Sequence, residues 1–161
     1  MRKLYIIIAC FTGWLAAMQG CHQPAPAGIA GPFEFKEKLS DYAFFTGALK
    51  DLQPRKGVVN YELSTPLFTD YTIKDRFIAL PPGKTIRYTD HGPLDFPDST
   101  FIIKNFAYTN AGHQKILIET RLLFKDPADK QWKVMNYLWD KEQQDAGKWI
   151  LGKKIPLTLL D

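Results

Sequence analysis

Cys21 carries the plainest chemistry in this chain. It follows a charged tip, Arg2 and Lys3, and an apolar run from Leu4 to Met18, with small Gly20 directly before it. A cationic start, an apolar stretch too short to span a bilayer comfortably and a small residue at the cut read as an export signal over residues 1–20, with Cys21 as the lipidated first residue of the mature chain. Met18 and Gln19 stand where an aliphatic and a small residue are more usual in such a signal. The alternatives are an ordinary secretory signal cleaved near Ala17 or Gly20 and an uncleaved anchor, and all three put the body outside the cytoplasm. Acyl chains contribute about 0.8 kcal/mol per buried methylene, so a multiply acylated Cys21 is a stable membrane anchor. Residues 21–32, rich in Pro, Ala and Gly, then form a flexible linker. His22 follows the cysteine where an inner-membrane retention signal would place Asp, which points to the outer membrane, facing the periplasm or the cell surface.

A second set of reactive side chains lies in three alternating runs further along. Lys104, Glu119, Arg121, Tyr137 and Trp139 occupy positions that a symmetric pairing of two hairpins, Tyr108 opposite Lys115 and Phe124 opposite Trp132, brings to one sheet face. Lys104 then stands across from Glu119, and Glu119 across from Tyr137. A carboxylate, a guanidinium and a phenol bordered by aromatics can orient a sugar, a peptide or a small acid. The competing interpretation is a half-exposed sheet finished with opposite-charge pairs, worth tenths of a kcal/mol each. The same register assigns Phe101, Ile103, Ala107, Ile116, Ile118, Leu122, Phe124, Trp132, Val134 and Leu138 to the core.

Other candidates carry less. The three histidines, at 22, 91 and 113, have no metal-ligand spacing. Asp90, Asp95 and Asp98 lack the spacing of a calcium loop and fit a turn in which each carboxylate serves local backbone. Asp140, Glu142 and Asp145 read as solvated carboxylates rather than an acid–base pair. Ser40, Ser64 and Ser99 lack a nucleophile-elbow context, and no phosphate loop occurs. No catalytic residue, metal site or cofactor is expected in this chain. Cys10 falls within the export signal and Cys21 at its end, so the body from Phe33 onward contains no cysteine for a disulfide, a thiolate or a haem attachment. The chain has 21 basic and 17 acidic side chains, and loss of Arg2 and Lys3 brings them nearly level. With no basic stripe, nucleic acid is not an expected partner.

The elements that must hold these groups are mostly strands. Aromatic residues make up 14% of the chain, a composition suited to pleated surfaces. Alternation and turn clusters predict strands over Val58–Leu63, Ile73–Leu80, Thr85–Tyr88, Phe101–Tyr108, Lys115–Lys125 and Gln131–Trp139, with final strands near Trp149–Leu151 and Ile155–Leu160. One short helix is expected between Glu37 and Phe45, and a helical turn over Asp140–Ala146. Residues 33–161 therefore form a single all-β domain, an antiparallel β-sandwich or jelly-roll-like fold with one short helix, or else a partly open barrel.

Several segments, in order, also resemble a known family. They are Leu39 to Phe45, Leu49 to Pro54, Tyr61-Glu62-Leu63-Ser64-Thr65-Pro66-Leu67-Phe68-Thr69-Asp70-Tyr71, Arg76 to Pro81, Asp95-Phe96-Pro97, Ile118-Glu119-Thr120-Arg121-Leu122-Leu123 and Tyr137 to Ala146. This series is similar to the N-terminal, haem-free region of exported bacterial di-haem c-type cytochromes of unassigned role, often encoded beside a parallel β-helix repeat protein. The family's haem-attaching CxxCH motifs lie further along its chains, and none occurs here. The resemblance implies haem in a partner or in a following segment, and it transfers no haem-binding residue. The expected role is a membrane-tethered, non-enzymatic docking or scaffold module beside a c-type cytochrome or another periplasmic protein. A surface lipoprotein that binds a glycan or small ligand is the alternative.

Overall fold

The computed structural model describes residues 33–65, 67–69 and 71–158. The export signal, Cys21 and the linker lie outside these residues. The described part falls within one compact unit, Pro32–Asp161.

Among the described residues, eight strands form two antiparallel sheets. Strands β1 (Phe45–Thr46) and β2 (Gln53–Pro54) make a small ribbon. The remaining six, β3 (Val58–Asn60), β4 (Ile73–Ala79), β5 (Phe101–Thr109), β6 (Lys115–Lys125), β7 (Trp132–Trp139) and β8 (Ala146–Lys148), pair strictly in sequence order as a meander. The fold is all-β and sandwich-like, with the ribbon and its flanking turns covering one face of the large sheet. The expected short helix is a single 3₁₀ turn, Ser40–Tyr42, and a second such turn spans Leu49–Asp51. Ala43 stops the first turn by adopting a left-handed conformation (φ 51°), from which its N–H reaches the Ser40 carbonyl at 3.0 Å.

The core lies between these layers. Leu39, Phe44, Phe45 and Leu52 from the N-terminal segment pack on Phe77, Ile103, Leu122, Tyr137 and Trp139 of the sheet. Rings meet edge to face, with Phe45 on Phe77 at 5.0 Å and Phe44 on Phe101 at 5.2 Å. Each such side chain contributes about 1.5–3 kcal/mol by leaving water. The segment is also clasped at its start. Leu39 N–H donates to the Ala146 carbonyl at 2.9 Å, and the Asp145 carboxylate accepts from Ser40 Oγ at 2.6 Å and from Ser40 N–H at 3.1 Å.

Three weaker strand expectations dissolve into loops. Thr85–Tyr88 supplies only a bridge from Arg87 to Asp95, and Trp149–Leu151 and Ile155–Thr158 carry no ladder. The last ladder strand comes instead from Ala146–Lys148, which hydrogen-bonds β7 on one side while Lys148 N–H donates to the Glu37 carbonyl at 2.8 Å on the other.

Candidate functional site

Three one-residue features reset the pairing of the sheet, and through them the site; the first is the β5–β6 turn, which sets Thr109 rather than Tyr108 opposite Lys115. In the β5–β6 pair Phe106 faces Glu119 but Ala107 faces Leu117, so Ile118 is a bulge with no partner. Leu117, rather than Ile116 or Ile118, therefore enters the core, and the alternation reverses across the bulge. Gln143 supports this point from the β7–β8 turn. Its amide accepts from Leu117 N–H at 2.7 Å and donates to the Leu117 carbonyl at 3.0 Å. In the β6–β7 hairpin, Lys130 takes a left-handed conformation (φ 62°) and donates to the Asp126 carbonyl at 2.9 Å. The turn so formed pairs Lys125 with Trp132 and Phe124 with Lys133, one residue away from symmetric closure.

That shift corrects the expected ligand face. A one-residue slip moves every side chain of a strand to the opposite side. Tyr137 and Trp139 are buried in the core at 0% and 6% exposure, while Trp132, Val134 and Leu138 lie on the other side of β7, away from it. The Tyr137 hydroxyl donates to the Lys36 carbonyl at 2.7 Å and shares a hydrogen bond with Tyr42 at 2.9 Å, and burial pushes its pKa well above the ordinary phenol value. The Trp139 indole N–H donates to Thr120 Oγ1 at 2.9 Å, and Thr120 donates to Asn105 Oδ1 at 2.6 Å, which links three strands through one polar core.

Lys104, Glu119 and Arg121 do share the outer face, but in different company. Lys104 stands opposite Arg121 on β6 and opposite Arg76 on β4, so three cations form a row across three adjacent strands. Lys74 joins them two residues along β4, and Tyr61 lies at the end of the row, its N–H donating to the Arg76 carbonyl at 3.0 Å. Glu119 faces Phe106 and turns to Arg121, whose Nε hydrogen-bonds one carboxylate oxygen and whose Nη2 lies 3.4 Å from the other. This carboxylate raises the Arg121 pKa, and the guanidinium sits 4.8 Å from the centre of the Phe106 ring. Tyr61 is held above its ordinary pKa by burial, with Arg76 pulling the other way. The four cations, Tyr61 and Phe106, with Leu63, Leu67 and Thr69, line a cavity of about 370 Å³ that Glu119 does not enter.

An apolar ledge adjoins this cavity. Leu67, Phe68 and Tyr71 are 75%, 71% and 85% exposed, and the Phe68 and Tyr71 rings meet edge to face at 5.6 Å. Lys74 Nζ ties the ledge to the sheet by donating to the Leu67 carbonyl at 2.6 Å. Arg76, Lys74 and Tyr61 are the members that sequence reasoning missed. The spacing of Lys74 and Arg76, two apart within a predicted strand, does put both on one face, but only the β4–β5 register sets Arg76 beside Lys104.

The remaining candidates do structural work. Asp95 pairs with Arg87 at 2.9 Å and Asp98 with Lys130 at 2.5 Å. Asp140 accepts from Gln144 and Asp145 N–H groups at 2.8 and 2.9 Å. Among the described residues, no group of three or more His, Cys, Asp or Glu side chains is placed to hold a metal ion, and no helix is long and apolar enough to cross a membrane. No family model, curated protein or solved structure matches the chain.

Proposed function

We propose that this protein is a membrane-tethered, extracytoplasmic docking module, non-enzymatic, held by lipid on Cys21 and binding a c-type cytochrome through the ledge of Leu67, Phe68 and Tyr71. The observation that carries the reading is the exposure of three large apolar side chains together on a domain that has a well-filled core elsewhere. Aromatic residues are favoured anchors at protein interfaces, because they supply area with little conformational freedom to lose. Lys74, Arg76 and Lys104 beside the ledge suit an acidic rim on the partner. The haem-bearing character of that partner rests on the resemblance of Tyr61–Tyr71 and Ile118–Leu123 to the front region of the di-haem family.

The test is isolation of the full-length protein from native membranes in mild detergent, with an absorbance spectrum of what accompanies it. A Soret band that follows the wild-type protein and is lost with Phe68→Ser plus Tyr71→Ser is the expected result. Both side chains are exposed, so these changes leave the fold intact. Colourless wild-type complexes, or equal haem retention by the double variant, would overturn the reading. Cys21→Ser moves the protein from the membrane to the soluble fraction if the anchor is as proposed.

A further inference from the structure

The cation row sets like charges against one another on neighbouring strands. Directly opposed side chains on neighbouring strands lie about 4.5–5.5 Å apart at Cβ, and like charges so placed destabilise a sheet. Here the opposition occurs twice in succession, Arg76 with Lys104 and Lys104 with Arg121. Among the described residues, only Arg121 of the four cations has a carboxylate partner, Glu119. Arg76 is only 9% exposed, and the single hydrogen bond its guanidinium makes among the described residues is a long one, 3.5 Å to the Lys74 carbonyl. A guanidinium has five N–H donors in a planar fork matched to oxyanions, and that of Arg76 lines the cavity with almost all of its donors unused by the described residues.

We propose that Arg76, Lys104 and Lys74, with Arg121 and the Tyr61 hydroxyl, bind the oxyanion head of a small ligand, a carboxylate or a phosphate. The rest of the ligand lies against Phe106, Leu63 and Leu67 in the cavity of about 370 Å³. That volume suits a molecule of about monosaccharide size, near the lower end of ordinary ligand pockets. Aromatic and aliphatic walls favour a ring or short chain over a bare ion, and the cations set the sign of its charge. This site shares Leu67 and its cations with the edge of the docking ledge but needs no partner protein; Phe68 and Tyr71 do not line the cavity, so Phe68→Ser plus Tyr71→Ser tests the ledge while small-ligand binding tests the cavity.

The test uses the full-length protein in detergent at low ionic strength, titrated calorimetrically with glucuronate, glucose 6-phosphate, inorganic phosphate and, as a neutral control, glucose. Binding of at least one of the two acidic sugars, tighter than glucose by tenfold or more, is expected, and the preference between them assigns the head group. Lys104→Gln should weaken that binding at least tenfold and, without ligand, raise the melting temperature, because it removes both like-charge oppositions at a half-buried position. A purely structural lysine would show the reverse on melting. Binding of inorganic phosphate alone, equal binding of glucose, no binding of any acid, or a Lys104→Gln variant that melts lower with unchanged affinity would each overturn the proposal. Asp70, next to the lining residue Thr69, lies outside the described residues, so Asp70→Asn is measured in parallel. Affinity within threefold of wild type is expected, and a gain above tenfold would mean that the chain's own carboxylate fills the site, which also overturns it.

Discussion

Replacing Tyr137 with alanine removes a ring that is fully buried between the N-terminal segment and the sheet, against Tyr42 at a centroid distance of 6.0 Å. Truncating a buried aromatic side chain to alanine costs about 3–5 kcal/mol, from lost transfer energy and the cavity left behind. Small domains are stable by about 5–15 kcal/mol in total, so the alanine variant sits near the edge of folding. The more discriminating change is Tyr137→Phe, which keeps the ring and deletes only the hydroxyl. The Lys36 carbonyl then loses its 2.7 Å donor and the Tyr42 hydroxyl loses its 2.9 Å partner. Stranding part-buried polar groups in this way costs about 1–3 kcal/mol. Urea denaturation followed by tryptophan fluorescence reads both variants, with the midpoint falling and the slope unchanged for phenylalanine. Had β7 kept the symmetric register, Tyr137 would face solvent and either change would fall within about 0.5 kcal/mol. A phenylalanine variant as stable as wild type would refute the inward placement of Tyr137, and with it the β6–β7 register.

Thr120→Val removes the acceptor of the Trp139 indole and the donor to Asn105 in a site with no water access, and should cost about 1–3 kcal/mol; near-ultraviolet circular dichroism and urea midpoints check it, and a loss below about 0.5 kcal/mol would contradict the buried network. On the alkaline side, Tyr42 and Tyr137 hold their protons more tightly folded than unfolded, so stability is level up to the ordinary phenol pKa of about 10 and declines above it as the unfolded chain ionises. Denaturation midpoints between pH 8 and about pH 11 should show that decline flattened in Tyr137→Phe. On the acid side, Lys133 first and the Ala128 N–H second lower the Asp126 pKa, so its contribution is complete above about pH 4 and fades as pH falls through the folded value. Asp126→Asn should remove that part of the acid slope, and identical slopes below pH 4 would count against the pairing.

The long strands were legible because nothing competes with their alternation. Phe101–Thr109, Lys115–Lys125 and Trp132–Trp139 match the expected runs to within a residue at either end. Their apolar residues recur at period two, and Asn110–Gln114 and Asp126–Gln131 carry the turn chemistry between them. The parity of those strands was not legible. Lys130 takes a left-handed backbone that Gly or Asn would have signalled and that Lys does not. The Ile118 bulge lies inside the unbroken apolar series Ile116, Leu117, Ile118, where any of the three residues suits the core equally well. A meander carries each such step forward, so one residue in the second hairpin turned Tyr137 and Trp139 from expected surface to core.

The register of the first hairpin decides which charges meet. Symmetric closure sets Lys104 against Glu119, a neutralising pair that needs no further explanation. The β5–β6 turn, which pairs Thr109 with Lys115, and the bulge each add one residue and together set Lys104 against Arg121 instead, and the β4–β5 pairing adds Arg76 on its other side. No tight turn governs that second pairing, since β4 and β5 are joined by a long loop anchored through Arg87–Asp95 and through Lys125, which donates to the Phe96 carbonyl. Its register follows from the apolar match of Phe77 with Ile103 and Ala79 with Phe101, all on the covered face. Core packing thus fixes β4, and the opposite face must accept whatever that register brings together. A sheet selected only for stability would place an acid or a neutral residue at one of the three sites, a single-residue change with no effect on the core. Three opposed cations beside a cavity are a local conflict in the sheet that the proposed oxyanion would relieve.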